Sequence, residues 1–382
     1  MQQYTPNDLT QYRMIADAPA DTVIERVLAE DATVKSNELL RSLSNNDSFE
    51  TAALPAPMRE FVAKASVMPD WYDAQKAALG EKLFTKYGME ICVILLCKSL
   101  PECYLCWRGA VVLYETGRLT EQRGNLSRLT KRIAETLQFV INVMAEGGTT
   151  PEGAGVVTAQ KIRLIHASIR AYIKQYPWEE TELGEPINQE DLALTWTTFS
   201  SSVLEGLEML AIKLSDEEKA AYMHCWRIIG HFMGVESQFL SDSYSDAVAL
   251  QTAILSLQAG STMENKALAA SILDFIEAII PIKDWKGIAP YAMEFFLGKK
   301  YAKMLGIKAS WLSWNHLRFA LTLWLIKCVS KEEQQSYLLQ AIISSFGKVV
   351  MQGLVLYFND YKKVQFDVPP SLRGAWGLDA KK

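Results

Sequence analysis

The chain is short of basic charge: its 382 residues carry a formal net charge of -5. Affinity for nucleic acid rests on neutralising phosphates, so no nucleic-acid partner is expected. Basic residues do cluster at Arg128, Lys131 and Arg132, but Glu135 interrupts that face. Long apolar runs are missing too. ICVILLC at 91–97 and FALTLWLI at 319–326 fall well below the ~20 residues of a spanning helix, so no integral membrane segment is expected. The N-terminal stretch MQQYTPNDLTQYRMIADAPADTVIERV shows no basic region followed by an apolar core. No secretory signal is visible, and a cytoplasmic location is expected. Six cysteines in a chain this long suit reduced, mostly buried thiols better than a disulfide framework.

Proline is absent between Pro186 and Pro281 and again between Pro290 and Pro369. Strand-like alternation is scarce, so each span has room for several long helices. Apolar residues make up 49% of the chain, enough for a sizeable core. The expected fold is all-α, a single multi-helix globular domain. A partly helical lead-in is read over 1–57, the main domain over 58–368, and an extended tail over 369–382. Residues 262–280 and 315–358 read as helices, with Trp311, Trp314, Trp324 and Phe346 covering the core or lining a channel. His316 is read as structural.

The most informative stretch is TAQKIRLIHASIRAYI at 158–173. As a helix it sets Arg163, His166 and Arg170 at i, i+3 and i+7, on one face amid Ile162, Leu164, Ile165 and Ile169. Two guanidiniums and an imidazole on a segment this apolar need partners. The helix before it, 126–144, carries Arg128, Arg132, Glu135 and Thr136 on one face. Ser127 is its N-cap, and EGG at 146–148 stops it. That face is either solvated or, where the two helices meet as antiparallel neighbours, sets Arg132 and Thr136 opposite His166. Further on, Asn188 caps a helix holding Thr195, Thr197, Thr198 and Ser200. These hydroxyls either bond back to their own backbone or line a pocket. His224, Arg227 and His231 repeat the i, i+3, i+7 pattern on another helix. Cys92, Cys97, Cys103 and Cys106 lie close together, but their spacing matches no familiar metal site and buried thiols are favoured. KSLPECY at 98–104 reads as a helix break.

Taken together, RIAETLQFVINVM, GG, GAGVVTAQKIRLIHASIR, GEPINQEDLALTWTTFS and YMHCWRIIGHFMGV resemble the oxygenase MpaB or latex-clearing-protein-like family, DUF2236, over residues 58–245. The resemblance implies a globin-like helical core around a haem pocket and an oxygenase that cleaves or oxidises C=C bonds of isoprenoids, polyenes or unsaturated lipids with dioxygen. It implies haem b as cofactor and His166 as its axial iron ligand. Arg163 and Arg170 are then propionate or outer-shell partners, consistent with bidentate pairing of arginine and carboxylate. Arg132, Glu135, Thr136 and Thr198 are the implied catalytic residues, with Thr195 as the alternative to Thr198. Glu135 stands where the rubber-cleaving branch has a lysine. An acid-base carboxylate of the family falls on Glu115 or, one residue on, Thr116. The partners expected are dioxygen and a hydrophobic substrate. Two other readings stay open: a haem-binding sensor or carrier, and a cofactor-free helical interaction protein.

Overall fold

The computed structural model describes residues 6–30, 39, 54–119, 128–280, 287–308, 345, 347–353 and 368–376. Ser127, His316, Trp311, Trp314, Trp324, Phe346 and most of the helix expected over 315–358 lie outside them. Among the described residues the architecture is all-α, as the proline spacing predicts. The helices follow in the order α1 (Pro6–Gln11), α2 (Ala18–Glu30), α3 (Ala56–Ala65), α4 (Ala74–Ile94), α5 (Leu100–Leu105), α6 (Trp107–Leu119), α7 (Arg128–Met144) and α8 (Ala154–Ile173). Then come α9 (Glu180–Leu183), α10 (Gln189–Phe199), α11 (Ser201–Met209), α12 (Asp216–Phe232), α13 (Tyr244–Gln258), α14 (Met263–Ile279), α15 (Ala289–Met304) and α16 (Pro370–Ala375). The domain resolves into two compact units, one of residues 1–81, 139–197 and 220–257, the other of 82–138, 198–219 and 258–382.

In the first unit, Ala20, Val23, Ile24 and Val27 recur at helical spacing on α2 and pack with Met58 and Val62 of α3 and Leu164 and Ala167 of α8. Burying each of the larger side chains is worth about 1.5–3 kcal/mol. Residues 18–30, set apart by the sequence as lead-in, therefore supply one wall of the core beneath the His166 helix. The α7–α8 turn is fixed from outside. The buried Glu81 carboxylate accepts from the backbone N–H of Gly147 (2.9 Å) and Thr149 (3.0 Å) and from the Thr149 hydroxyl (2.7 Å). A Cβ on Gly155 would lie 2.6 Å from Val143 Cα, so glycine is what lets the start of α8 approach the end of α7 this closely.

In the second unit, KSLPECY is not a break. Leu95–Ser99 forms a π-helical stretch that runs straight into α5, with Pro101 in the first turn where its missing N–H costs nothing. Lys98 and Glu102 then form a buried ion pair at 2.5 Å. The expected extended tail also differs: 370–375 is helical, and Trp376 is buried against Gly88, where no Cβ would fit, its indole N–H donating to the Thr85 carbonyl at 3.1 Å. The backbone of α4 leaves helical geometry at the adjacent Tyr87.

Candidate functional site

In the first unit the polar face of α8 finds its partners on α2 and on the segment before it. Arg163 pairs bidentately with Asp17, Nε at 2.6 Å and Nη2 at 2.8 Å. Arg170 donates from Nε to Asp21 at 2.7 Å and from Nη1 to the Ile187 carbonyl at 3.2 Å. Ile187 has φ +53, a strained conformation for a β-branched residue, held within the GEPINQED block. The rest of that block is a clasp. Asn188 Oδ1 caps α10 by accepting from the Asp191 N–H at 3.0 Å. Arg13 pairs with Glu190 at 2.8 Å, and Gln189 bridges the Gly234 carbonyl (2.9 Å) and the Glu236 N–H (2.9 Å). At Gly234, with φ +80, a Cβ would collide with Asp17 and come 2.6 Å from Arg163 Nε. No side chain larger than hydrogen leaves room for the Asp17–Arg163 pair.

His166 is half-buried between these two arginines. Among the described residues no group of three or more His, Cys, Asp or Glu side chains could hold a bare metal ion. One imidazole is what haem iron takes from a protein as its proximal ligand, because the porphyrin supplies the in-plane nitrogens. Arg170 Nη2 is buried and meets no acceptor among the described residues. A buried guanidinium nitrogen left this way is costly, and a carboxylate of a bound group would satisfy it. The donor set therefore fits a haem.

The second unit holds the other expected site residues. Arg132 Nη1 donates to the Thr116 hydroxyl at 2.8 Å and the Leu113 carbonyl at 3.3 Å. Burial pushes its pKa down, opposed by Tyr104 and Glu135. Thr116, one of the two alternatives for the family carboxylate, thus touches Arg132. Thr136 bonds back to the Arg132 carbonyl at 2.8 Å, and Glu135 is exposed. Thr198 is fully buried with its hydroxyl 3.0 Å from Cys103 Sγ. Thr195, of the first unit, bonds back to the Asp191 carbonyl at 2.8 Å. Cys92, Cys97, Cys103 and Cys106 are not disulfide-bonded, and burial pushes Cys92 and Cys97 up to about 12, which keeps those two inert. The Arg132 group and the His166 group thus lie in different units.

The second histidine-bearing helix, α12, is a structural clasp. His224 is buried; its Nδ1–H donates to Asp242 at 3.2 Å while Nε2 accepts from the Asp73 N–H at 3.0 Å. Both ring nitrogens are used and the tautomer is set. Lys76 reaches Asp242 at 2.6 Å, and Arg227 lies over the Trp71 ring at 4.0 Å. His231 sits beside Arg163 on a cleft of about 560 Å³; burial, then the Arg163 charge, lowers its pKa. Burial alone raises the Asp242 pKa, but hydrogen bonds from His224 and Lys76 more than reverse it, from the ordinary 3.8 to about 2. The folded carboxyl is depressed, so its contribution is complete above pH ~4 and disappears as pH falls through about 2, an amount of about 2 kcal/mol. The stability gap between wild type and Asp242→Asn, read by urea unfolding, should narrow by that amount between pH ~5 and ~2. A gap that does not change with pH would refute the clasp.

The site is that of an all-α protein with the half-buried imidazole of His166 between two clamped arginines. The chain belongs to the family described as ER-bound oxygenase mpaB/B'/rubber oxygenase, whose catalytic domain matches residues 106–328. It is 23% identical over 359 residues to the rubber oxygenase of Streptomyces sp. (strain K30), across 92% of this chain and 85% of that one. A solved structure of latex clearing protein LCP in the closed state shares the fold, with a TM-score of 0.73 and 20% identity over 96% of this chain and 95% of the other. Among the described residues no helix is long and apolar enough to cross a membrane.

Proposed function

We propose that this chain is a b-type haem-dependent oxygenase that uses dioxygen to cleave or oxidise a C=C bond of an isoprenoid, polyene or unsaturated lipid. The supporting observation is the built surroundings of His166 in a member of this oxygenase family. His166 would hold the iron. Asp17 already occupies two nitrogens of Arg163, so this guanidinium acts chiefly by fixing α8, while Arg170 keeps Nη2 for a carboxylate of the cofactor. When bound, the haem supplies the activation of dioxygen.

The chain's own catalytic residues are Arg132, Glu135, Thr136 and Thr198. Arg132 offers its remaining N–H groups as hydrogen-bond donors, held in place by Thr116. Thr198 presents a hydroxyl paired with the Cys103 thiol. Thr136 shares its hydroxyl with its own helix and can donate to only one acceptor at a time. Glu135, a carboxylate in place of a lysine, offers acceptor oxygens instead of a cation. The relative's name points to polyisoprene; the substrate proposed for this chain is a smaller molecule of the same alkene chemistry.

Haem reconstitution of the purified chain tests the first step. A Soret band is expected, together with oxygen uptake matched by carbonyl products from a panel of alkenes. The absence of the band after reconstitution overturns the proposal. One observation favours a second reading, a cofactor-free helical interaction protein: both arginines flanking His166 already have internal carboxylate partners. That reading predicts no band at all.

A further inference from the structure

In a chain of net charge -5, the second unit gathers lysines on one surface. Lys299 and Lys303, one helical turn apart near the end of α15, line a cleft of about 280 Å³ with Lys308, Gly306, Ile307 and Glu294. Gly306 has φ +71 and closes α15: its N–H donates to the Lys303 carbonyl at 3.1 Å and that of Ile307 to the Ala302 carbonyl at 2.9 Å. That turn carries Lys308 back beside the cleft. Lys266 of α14 reaches the same place, since a Cβ on Gly306 would lie 3.3 Å from Lys266 Cγ. Lys266, Lys299, Lys303 and Lys308 are all exposed, and Lys266, Lys303 and Lys308 form no ion pair with a described residue.

Helix stability explains only part of this cluster. Lys299 and Lys303 suit the negative end of the α15 dipole, but Lys266 stands at the end of the first turn of α14, where a cation is disfavoured. Lys308 lies beyond the cap of its helix. Beside Lys266, Met263 leaves 67% of its surface exposed. Three lysines and one carboxylate, Glu294, line the notch, Lys266 reaches it, and the exposed Met263 stands one helical turn before Lys266. A cationic surface with an apolar side chain nearby matches the chemistry of an anionic lipid surface, phosphate at the lysines and methionine among the acyl chains. A purely electrostatic partner gives no role to the exposed methionine.

We propose that this lysine surface docks the protein reversibly on anionic membranes. Screening confines the attraction to about 8 Å at physiological ionic strength, so the contact is peripheral. A hydrophobic alkene resides in a membrane, and docking there would bring the enzyme to its substrate. The surface itself does not rest on the haem assignment, and the assay below reads neither absorbance nor turnover, so either proposal can fail without the other.

Flotation of the full chain with vesicles tests it. Binding is expected to phosphatidylcholine vesicles containing phosphatidylglycerol and not to pure phosphatidylcholine, and it should weaken as salt is raised. A lysine near an anionic surface is worth about a fivefold factor in partitioning, so the double variant Lys266→Glu, Lys308→Glu should lose about 25-fold or more. Lys213→Glu, an exposed lysine outside the cluster, should bind like wild type, and Met263→Ser should bind more weakly while still preferring anionic vesicles. Far-UV circular dichroism checks that each variant is folded. Equal binding to both vesicle types, or undiminished binding by the folded double variant, overturns the proposal. So does a site saturated by inorganic phosphate with no vesicle binding, which would assign the notch to a free anion.

Discussion

Replacing His166 by alanine is expected to abolish the Soret band of the haem-loaded chain and, with it, alkene-dependent oxygen uptake. Loss of an outer-shell partner of a metal site typically costs 10- to 100-fold, and loss of His166 in its proposed role as iron ligand should exceed that. The fold should survive, because His166 is only half-buried and its neighbours Leu164 and Ala167 carry the packing against α2 and α3. A His166→Gly variant separates ligation from packing: added imidazole should fill the gap and restore the band, which a structural role would not allow. If His166→Ala keeps an unchanged haem spectrum, the axial assignment is wrong. Arg170→Gln gives the graded case. It removes the donor left over at Nη2 while His166 remains, so the haem should bind more weakly with its axial ligation unaltered.

Much of the fold was legible because helix periodicity and helix punctuation are local. TAQKIRLIHASIRAYI announces its own polar face, Asn188 sits where a cap is needed, and the glycines at 147 and 148 turn the chain where expected. Partners distant in sequence were not legible. Asp17 and Asp21 lie 146 and 149 residues before the arginines they hold, in a stretch whose composition reads only as a lead-in. Glu81 is one acidic residue among many until the GGTT loop folds onto it. Gly234 is a clearer lesson: it clears space for the Asp17–Arg163 pair, a task that depends on tertiary packing and leaves no mark in the local pattern. The π-helical stretch at 95–99 also escaped, because proline in KSLPECY predicts a break and only packing lets the helix continue. Family resemblance proposed the site residues, but local pattern could not say that Arg163 would face a carboxylate of its own chain.

Asp17→Asn should therefore be among the most destabilising single changes outside the large apolar core. The Arg163 side chain is 14% exposed and Asp17 3%, so the substitution leaves a largely buried guanidinium without a countercharge. Breaking such a pair from one side typically costs about 3–5 kcal/mol, more than the pair itself contributes over an apolar replacement. Asparagine keeps the shape and one acceptor, which separates loss of charge from loss of volume. The double variant Asp17→Asn, Arg163→Gln should recover part of that cost, because the stranded charge is then gone; the coupling between the two positions, taken from urea unfolding of the four proteins, should exceed about 1 kcal/mol. Since Arg163 is one turn from His166 on α8, haem affinity should fall in Asp17→Asn and return in part in the double variant. A single-variant cost under about 1 kcal/mol, the range of an exposed ion pair, would mean that the pair is solvated and does not position α8.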